Sequence, residues 1–281
     1  MKKMKKLICV VMTIAILMLC LVGCGSEKAD EDVLRVGIDL KYYPFMYLDD
    51  DGNPAGFEVD IAYAFGEYVG MEVEIVNTDF SMLIPALDTG DVDILISDMS
   101  AQPERELKAD FSDPYRYSRS LALVNKDFAI ANNITEDMTE EEFFTIDGMV
   151  FAGLAGSIAV TIPASYGAEV VEYTEIASAL MEVSRGTADA IVGASTIYGD
   201  HVANADTTII YEGITESTAS CFAVKKGDEE LLQLANEFIA SMYADGGFYD
   251  QAGTKYDDAI GEFMQNDEVG LDFIIYPAGK E

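Results

Sequence analysis

Residues 57–96, FEVDIAYAFGEYVGMEVEIVNTDFSMLIPALDTGDVDILI, switch their apolar period repeatedly, and that alternation decides the fold class. After Asp60, Ile61, Phe65, Tyr68 and Val69 recur at helical spacing, with Asp60 as the expected N-cap and Gly70 as the stop. Val73, Ile75 and Val76 read as a strand, Ser81–Leu87 as a short helix ending near Gly90, and Ile94–Ile96 as a buried strand. Upstream, Leu34, Val36 and Ile38 alternate with Arg35 and Gly37, the period of a strand. The Asp51-Gly52 turn ahead of Gly56-Phe57 predicts a hairpin-like excursion between that strand and the helix. From Val33 to Ile96 the order is β-α-β-α-β. Strands joined through helices pair in parallel, so the class is α/β.

The pattern restarts after Asp113-Pro114-Tyr115. Leu121–Val124 and Val150–Ala152 read as strands, with helices after Ser157 and across Glu175–Arg185. Gly90-Asp91-Val92-Asp93 ahead of Ile94–Ile96 is echoed by Gly186-Thr187-Ala188-Asp189 ahead of Ala190–Val192, which suggests two related lobes. Residues 220–226 give another apolar strand, and Glu229–Tyr243 an amphipathic helix that can return the chain to the first lobe. The expected division is lobe 1 from 33–118 and 222–281 and lobe 2 from 119–221, with two crossings as a hinge.

At the start, Lys2, Lys3, Lys5 and Lys6 precede sixteen uncharged residues, Leu7–Val22. This is a secretory signal pattern, short of the ~20 apolar residues of a permanent span. Residues 1–23 are expected to be removed. Leu21-Val22-Gly23-Cys24 resembles a bacterial lipobox, which implies a diacylglyceryl group on Cys24 and residues 24–32 as a polar tether. Each buried CH₂ of such chains contributes about 0.8 kcal/mol, so two chains hold firmly. Cys9 and Cys20 fall in the removed segment, which leaves Cys221 without a disulfide partner, expected to be a small buried hydrophobe. Beyond residue 23 the chain carries 13 basic against 51 acidic side chains. A surface so negative repels nucleic acid and anionic lipid and excludes them as partners.

Several chemistries lack their residues. His201 is the single histidine, expected at the surface, and no G-x-S-x-G accompanies it. There is no C-x-x-C, H-E-x-x-H, phosphate loop or G-x-G-x-x-G, so no metal or nucleotide cofactor is expected. Asp49, Asp51, Gly52 and Glu58 match positions of a calcium loop, but Tyr47 stands where its first carboxylate belongs, so a turn is expected there instead.

Residues 33–124 resemble the N-terminal lobe of extracellular solute-binding proteins of the polar amino acid family, the receptors of ABC importers. The landmarks are Val36-Gly37-Ile38-Asp39, Tyr43-Pro44-Phe45, Gly56–Asp60, Pro85-Ala86-Leu87, Gly90–Ile96, Pro103-Glu104-Arg105 and Asp110–Tyr115. Ala155-Gly156-Ser157 and Gly186–Val192 extend the likeness more loosely through the second lobe. The resemblance implies a two-lobed, periplasmic-binding-protein-like (type II) fold with a two-crossing hinge, acting as a monomer beside an ABC permease and its cytoplasmic ATPase. It implies a binding protein rather than an enzyme, with a polar or cationic amino acid, or a similar small zwitterion, as ligand.

It also implies a site. Arg105 falls where the family holds the ligand carboxylate, a task suited to a planar guanidinium with two parallel donors. Ser100 should add donors, and Ser157, where a helix begins, could bring free N–H groups to the same carboxylate. Tyr42 and Phe80 match positions that sandwich the ligand side chain, though either is compatible with ordinary core. Asp39 matches a position that reaches the far end of polar or cationic side chains, and it could instead terminate its strand. The departures concern the amine. The second-lobe aspartate that meets it in many relatives is Ala194 here, while Asp98 replaces a usual glycine close by. Asp98 either takes over the amine or points elsewhere, and in the latter case the ligand is not an ordinary α-amino acid. Gln102, where relatives often have threonine, is a further departure. Two rival readings on the same scaffold are a sensor with a separate signalling partner and a dehydratase using Asp98 and His201.

Overall fold

The computed structural model describes residues 33–215, 217–266 and 270–271. The signal segment, Cys24 and the tether lie outside them. Strand β1 (Val33–Ile38) leads into a small hairpin of β2 (Tyr47–Leu48) and β3 (Pro54–Ala55), then α1 (Phe57–Val69), β4 (Glu72–Asn77), a 3-10 turn at Phe80–Met82, α2 (Leu83–Thr89), β5 (Ile94–Ser100) and α3 (Pro103–Glu106). A 17-residue strand, β6 (Ala109–Asn125), carries the chain onward to α4 (Lys126–Ala131) and α5 (Glu140–Phe144). There follow β7 (Val150–Leu154), α6 (Ile158–Ser165), β8 (Glu169–Tyr173), α7 (Ile176–Arg185), β9 (Ala190–Ala194), α8 (Ile197–Ala203) and β10 (Thr208–Tyr211). Strand β11 (Ser217–Lys225) returns the chain to α9 (Glu229–Met242) and α10 (Phe248–Phe263).

The main sheet runs β4-β1-β5-β11-β6-β9-β7-β8, with β10 also on β6. Pairing is parallel for β1–β5, β7–β8 and β7–β9, as crossover helices require, but the centre is antiparallel. That mixture has a simple cause: β6 leaves the first half as β11 re-enters it. Strand β6 pairs with β11 from Ala109 to Arg119 and with β9 from Ser120 to Val124. The two strands form the crossings between the halves.

Period-two burial splits each half into layers. In the first half Leu34, Val36, Ile38, Ile94, Ile96, Phe222 and Val224 face a core closed by α1, α9 and α10, while Leu95 and Ala223 face α2. In the second half Ala122, Val124, Ala190 and Val192 join Phe143, Phe144 and Phe151, while Leu121, Leu123 and Ile191 pack on α7. The glycine-aspartate echo is structural. Gly90 and Gly186 both close helices in the left-handed region, at φ 81° and 76°. Asp93 accepts the Arg35 N–H at 2.9 Å and Asp189 the Val150 N–H at 2.8 Å, and each aspartate N–H returns a bond to the same residue's carbonyl.

One local expectation is corrected and one holds. Asp60 is not the cap of α1, because Phe57 and Val59 are themselves core residues and draw the helix start back to Gly56. Gly56 turns at φ 114° against the Phe45 carbonyl, where a Cβ would not fit. Asp60 instead bonds Lys255 and Tyr256 of α10, a helix the sequence pattern does not reveal. At the calcium-like stretch, the Asp49 carboxylate accepts the N–H groups of Asp51 and Asn53, which is turn chemistry. No cluster able to hold a metal occurs among the described residues.

Candidate ligand-binding site

A cavity of ≈ 140 Å³ lies between the halves, and all seven residues singled out for the ligand line it: Asp39, Tyr42, Phe80, Asp98, Ser100, Arg105 and Ser157. They arrive there from separate elements. Asp39 and Tyr42 follow β1, Phe80 opens the 3-10 turn, Asp98 and Ser100 end β5, Arg105 sits on α3, and Ser157 caps α6. Ser157 sits at the helix start expected from sequence, and its hydroxyl accepts the Ala159 N–H at 3.2 Å, so one of the N–H groups expected to be free there is already partnered. Ala194, the methyl that replaces an expected aspartate, lines the same space.

The Arg105 guanidinium donates to the Ser100 carbonyl at 2.7 Å and, across the cavity, to the Gly156 carbonyl at 2.5 Å. It lies 5.4 Å from the Phe80 ring centre, within range of cation–π attraction. No carboxylate forms an ion pair with it among the described residues. Burial lowers its pKa to about 10, which leaves it charged at neutral pH. A cation with only neutral partners beside a cavity can receive an anion.

The carboxyl groups are arranged differently. Asp39 is buried, accepts the Phe80 N–H at 3.2 Å, and lies 3.7 Å from Lys41; burial raises its pKa to about 6, against the pull of Lys41. Lys41 lines the cavity and pairs with Asp79 at 2.6 Å and with Glu175 of the other half at 2.9 Å. Burial opposes its charge, but these two acids hold its pKa above the ordinary lysine value. Asp200, on α8, accepts the Tyr42 hydroxyl at 3.0 Å, and burial raises its pKa to about 7.

Asp98 has a partner below the cavity floor. Its carboxylate contacts the guanidinium of Arg116, which is 1% exposed, and the Ser220 hydroxyl. Beneath them, buried Glu58 accepts the Tyr115 hydroxyl at 2.6 Å. Burial and the nearby Asp98 charge raise the Glu58 pKa, with Arg116 opposing. The His201 ring bonds Thr208 at 3.0 Å and is not among the cavity-lining side chains, so the acid-base pair of a dehydratase is not assembled. Apolar walls come from Ile158, Ile176, Leu180 and Ile197.

Lys41, Arg116 and Asp200 escaped sequence reasoning. Lys41 adjoins Tyr42 and carried that much signal. Arg116 and Asp200 carried none, since a lone charge near a turn ordinarily reads as solvated.

Residues 34–257 match the family model for bacterial extracellular solute-binding proteins, family 3. An L-arginine-binding protein of Pseudomonas aeruginosa is 32% identical over 85% of this chain and 93% of its own length. The structure of an ancestral amino acid-binding protein, described as a precursor of cyclohexadienyl dehydratase, is 33% identical with a TM-score of 0.68, covering 80% of this chain and 95% of that one. The holo form of ArgBP from T. maritima is 31% identical with a TM-score of 0.66, covering 80% and 95%. With its two halves, its two strand crossings and a cavity lined from both sides, the chain belongs to the bacterial extracellular solute-binding proteins of family 3, which bind solutes and are not enzymes.

Proposed function

We propose that the chain is the substrate-binding lipoprotein of an ABC importer and captures a cationic amino acid, or a similar small zwitterion, by closure of its two lobes. The observation that carries this reading is Arg105, a guanidinium lining the cavity with carbonyl partners alone. A ligand carboxylate there would receive two parallel hydrogen bonds, with the Phe80 ring packed against the guanidinium. The remaining charge favours a cation. Asp39, Glu58, Asp79, Asp98, Glu175 and Asp200 outnumber Lys41, Arg105 and Arg116 in and around the cavity. A ligand with one carboxylate and two cationic nitrogens would offset part of that excess. The similarity to arginine-binding proteins points the same way.

On this reading lobe 1 comprises 33–118 and 222–281, and lobe 2 comprises 119–221. Asp39, Tyr42, Phe80, Asp98, Ser100 and Arg105 present the ligand to Ser157 on the opposite lobe. Closure is driven by contacts that exist only when both lobes meet the ligand. A diacylglyceryl group on Cys24 would keep the protein at the outer face of the membrane, near its permease. The described residues contain no helix long and apolar enough to cross a membrane.

A thermal-shift screen of the full chain against the standard amino acids tests the reading, because a ligand that binds only the folded state raises the unfolding midpoint. Arginine, lysine or histidine should shift it and aspartate and glutamate should not. No shift with any of them would overturn the amino acid assignment.

A further inference from the structure

The three carboxylates that line the cavity are not equivalent. The charge of Asp98 is answered from within the protein, by Arg116. Asp39 has Lys41 nearby and the Phe80 N–H on one oxygen. Asp200 has a neutral partner, the Tyr42 hydroxyl, and no cation pairs with it among the described residues. It faces the cavity from the second half, the same side as Ala194 and one helix further along. The aspartate that the family resemblance expects at the strand end is thus absent, while a carboxylate reaches the same cavity from α8.

We propose that Asp200, held in place by the Tyr42 hydroxyl, is the carboxylate that receives a cationic nitrogen of the ligand, and that Asp98 serves as the internal counter-ion of Arg116. The proposal rests on the cavity being an amino acid site. Tyr42 then has two tasks: its ring forms a wall and its hydroxyl aims Asp200. Because Tyr42 and Asp200 come from opposite halves, the subsite is complete only when the halves meet. Asp200 is buried enough for its carboxyl to be held near neutrality without a cation, which is the state of a group awaiting one.

The nitrogen is either the α-ammonium or a side-chain guanidinium, and ligand analogues separate the two. The full chain, as wild type, Asp200→Asn and Asp98→Asn, is titrated calorimetrically with L-arginine, with 5-guanidinopentanoate, which lacks the α-amine, and with L-citrulline, whose side chain is neutral. Asp200→Asn should weaken L-arginine by about 30-fold or more, the effect of removing one partner of a desolvated charge pair. The penalty should shrink to less than about 3-fold for whichever analogue lacks the nitrogen that Asp200 holds. Unchanged L-arginine affinity in Asp200→Asn, an equal penalty for all three ligands, or a loss confined to Asp98→Asn would each overturn the proposal while leaving the amino acid reading intact. A wild type that binds none of the three would overturn both. Should Asp200→Asn not fold, Tyr42→Phe provides the test: loss of the orienting hydroxyl should weaken L-arginine by about 3- to 10-fold, and unchanged affinity would contradict the proposal.

Discussion

Asp98 holds its backbone at φ 48°, a left-handed conformation that glycine adopts freely and that costs most other residues about 1 kcal/mol. What it provides in return is a carboxylate for a buried arginine. Breaking a buried ion pair ordinarily costs about 3–5 kcal/mol. Here Glu58 can ionise to answer Arg116, so Asp98→Gly should lose nearer 2 kcal/mol in urea unfolding. The double variant Asp98→Gly/Arg116→Met should recover most of that, and a fully additive loss would show the pair to be uncoupled. Arg105→Ala should behave in the opposite manner, weakening L-arginine by about 100-fold in a calorimetric titration with little change in unfolding midpoint. These contrasts also explain what was legible at this scale. Arg105, Ser157 and Asp39 sit in short strings whose order is recognisable. Asp200 becomes a cavity residue only through a helix that starts after Thr196, and Arg116 is buried only because two acids surround it.

Helix α1 lies on β4 through Gly66, where an added Cβ would fall well inside contact with the Val73 side chain and 3.1 Å from the Met71 carbonyl. Alanine favours helices by roughly 1 kcal/mol over glycine, whereas overpacking a core costs about 1–3 kcal/mol. The backbone oxygen cannot yield as a side chain can, so Gly66→Ala should lower stability despite its better propensity. Urea unfolding checks this, and a stabilised Gly66→Ala would show that the helix shifts outward freely. The first half was readable as elements because its periods are uninterrupted. The sequence does not reveal strand β6 at full length, since Pro114 predicts a break; the structure absorbs the proline in a register shift opposite Cys221. Helix α10 escaped because its buried Tyr256 and Ile260 are diluted by Asp257, Asp258 and Glu262.

At the scale of the whole molecule, the halves touch through Tyr42–Asp200, Lys41–Glu175, Gln102–Thr161 and the Arg105–Gly156 carbonyl bond. Gly199 of α8 also lies against the Phe263 ring of α10, with no room for a Cβ. Gly199→Val should therefore prop the halves apart, weakening ligand binding about 10-fold or more at little cost to unliganded stability. Equal affinity would show that closure does not bring these helices together. The pH dependence follows from Asp39 and Asp200, raised by burial to about 6 and about 7, with Glu58 raised in the same direction. Between about pH 4 and pH 7 the folded state binds more protons than the unfolded one, so unliganded stability falls as pH rises through that window. Partly buried Asp110 and exposed Glu142, held low mainly by backbone N–H bonds, oppose this weakly near its lower end. A cationic ligand answers the same carboxylates, so L-arginine should stabilise more at about pH 8 than at about pH 5, and equal stabilisation would mean that neither carboxyl meets it.

On the proposed reading, one cavity takes a carboxylate on Arg105 and a cation on the carboxylates opposite. Calorimetric titration of the full chain with L-arginine and with agmatine, the same cation without its carboxylate, tests it most directly. One L-arginine per chain should bind with a Kd of about micromolar or tighter, and agmatine should bind at least about 100-fold more weakly. Equal affinity for the two, or no heat from any standard amino acid, would contradict it.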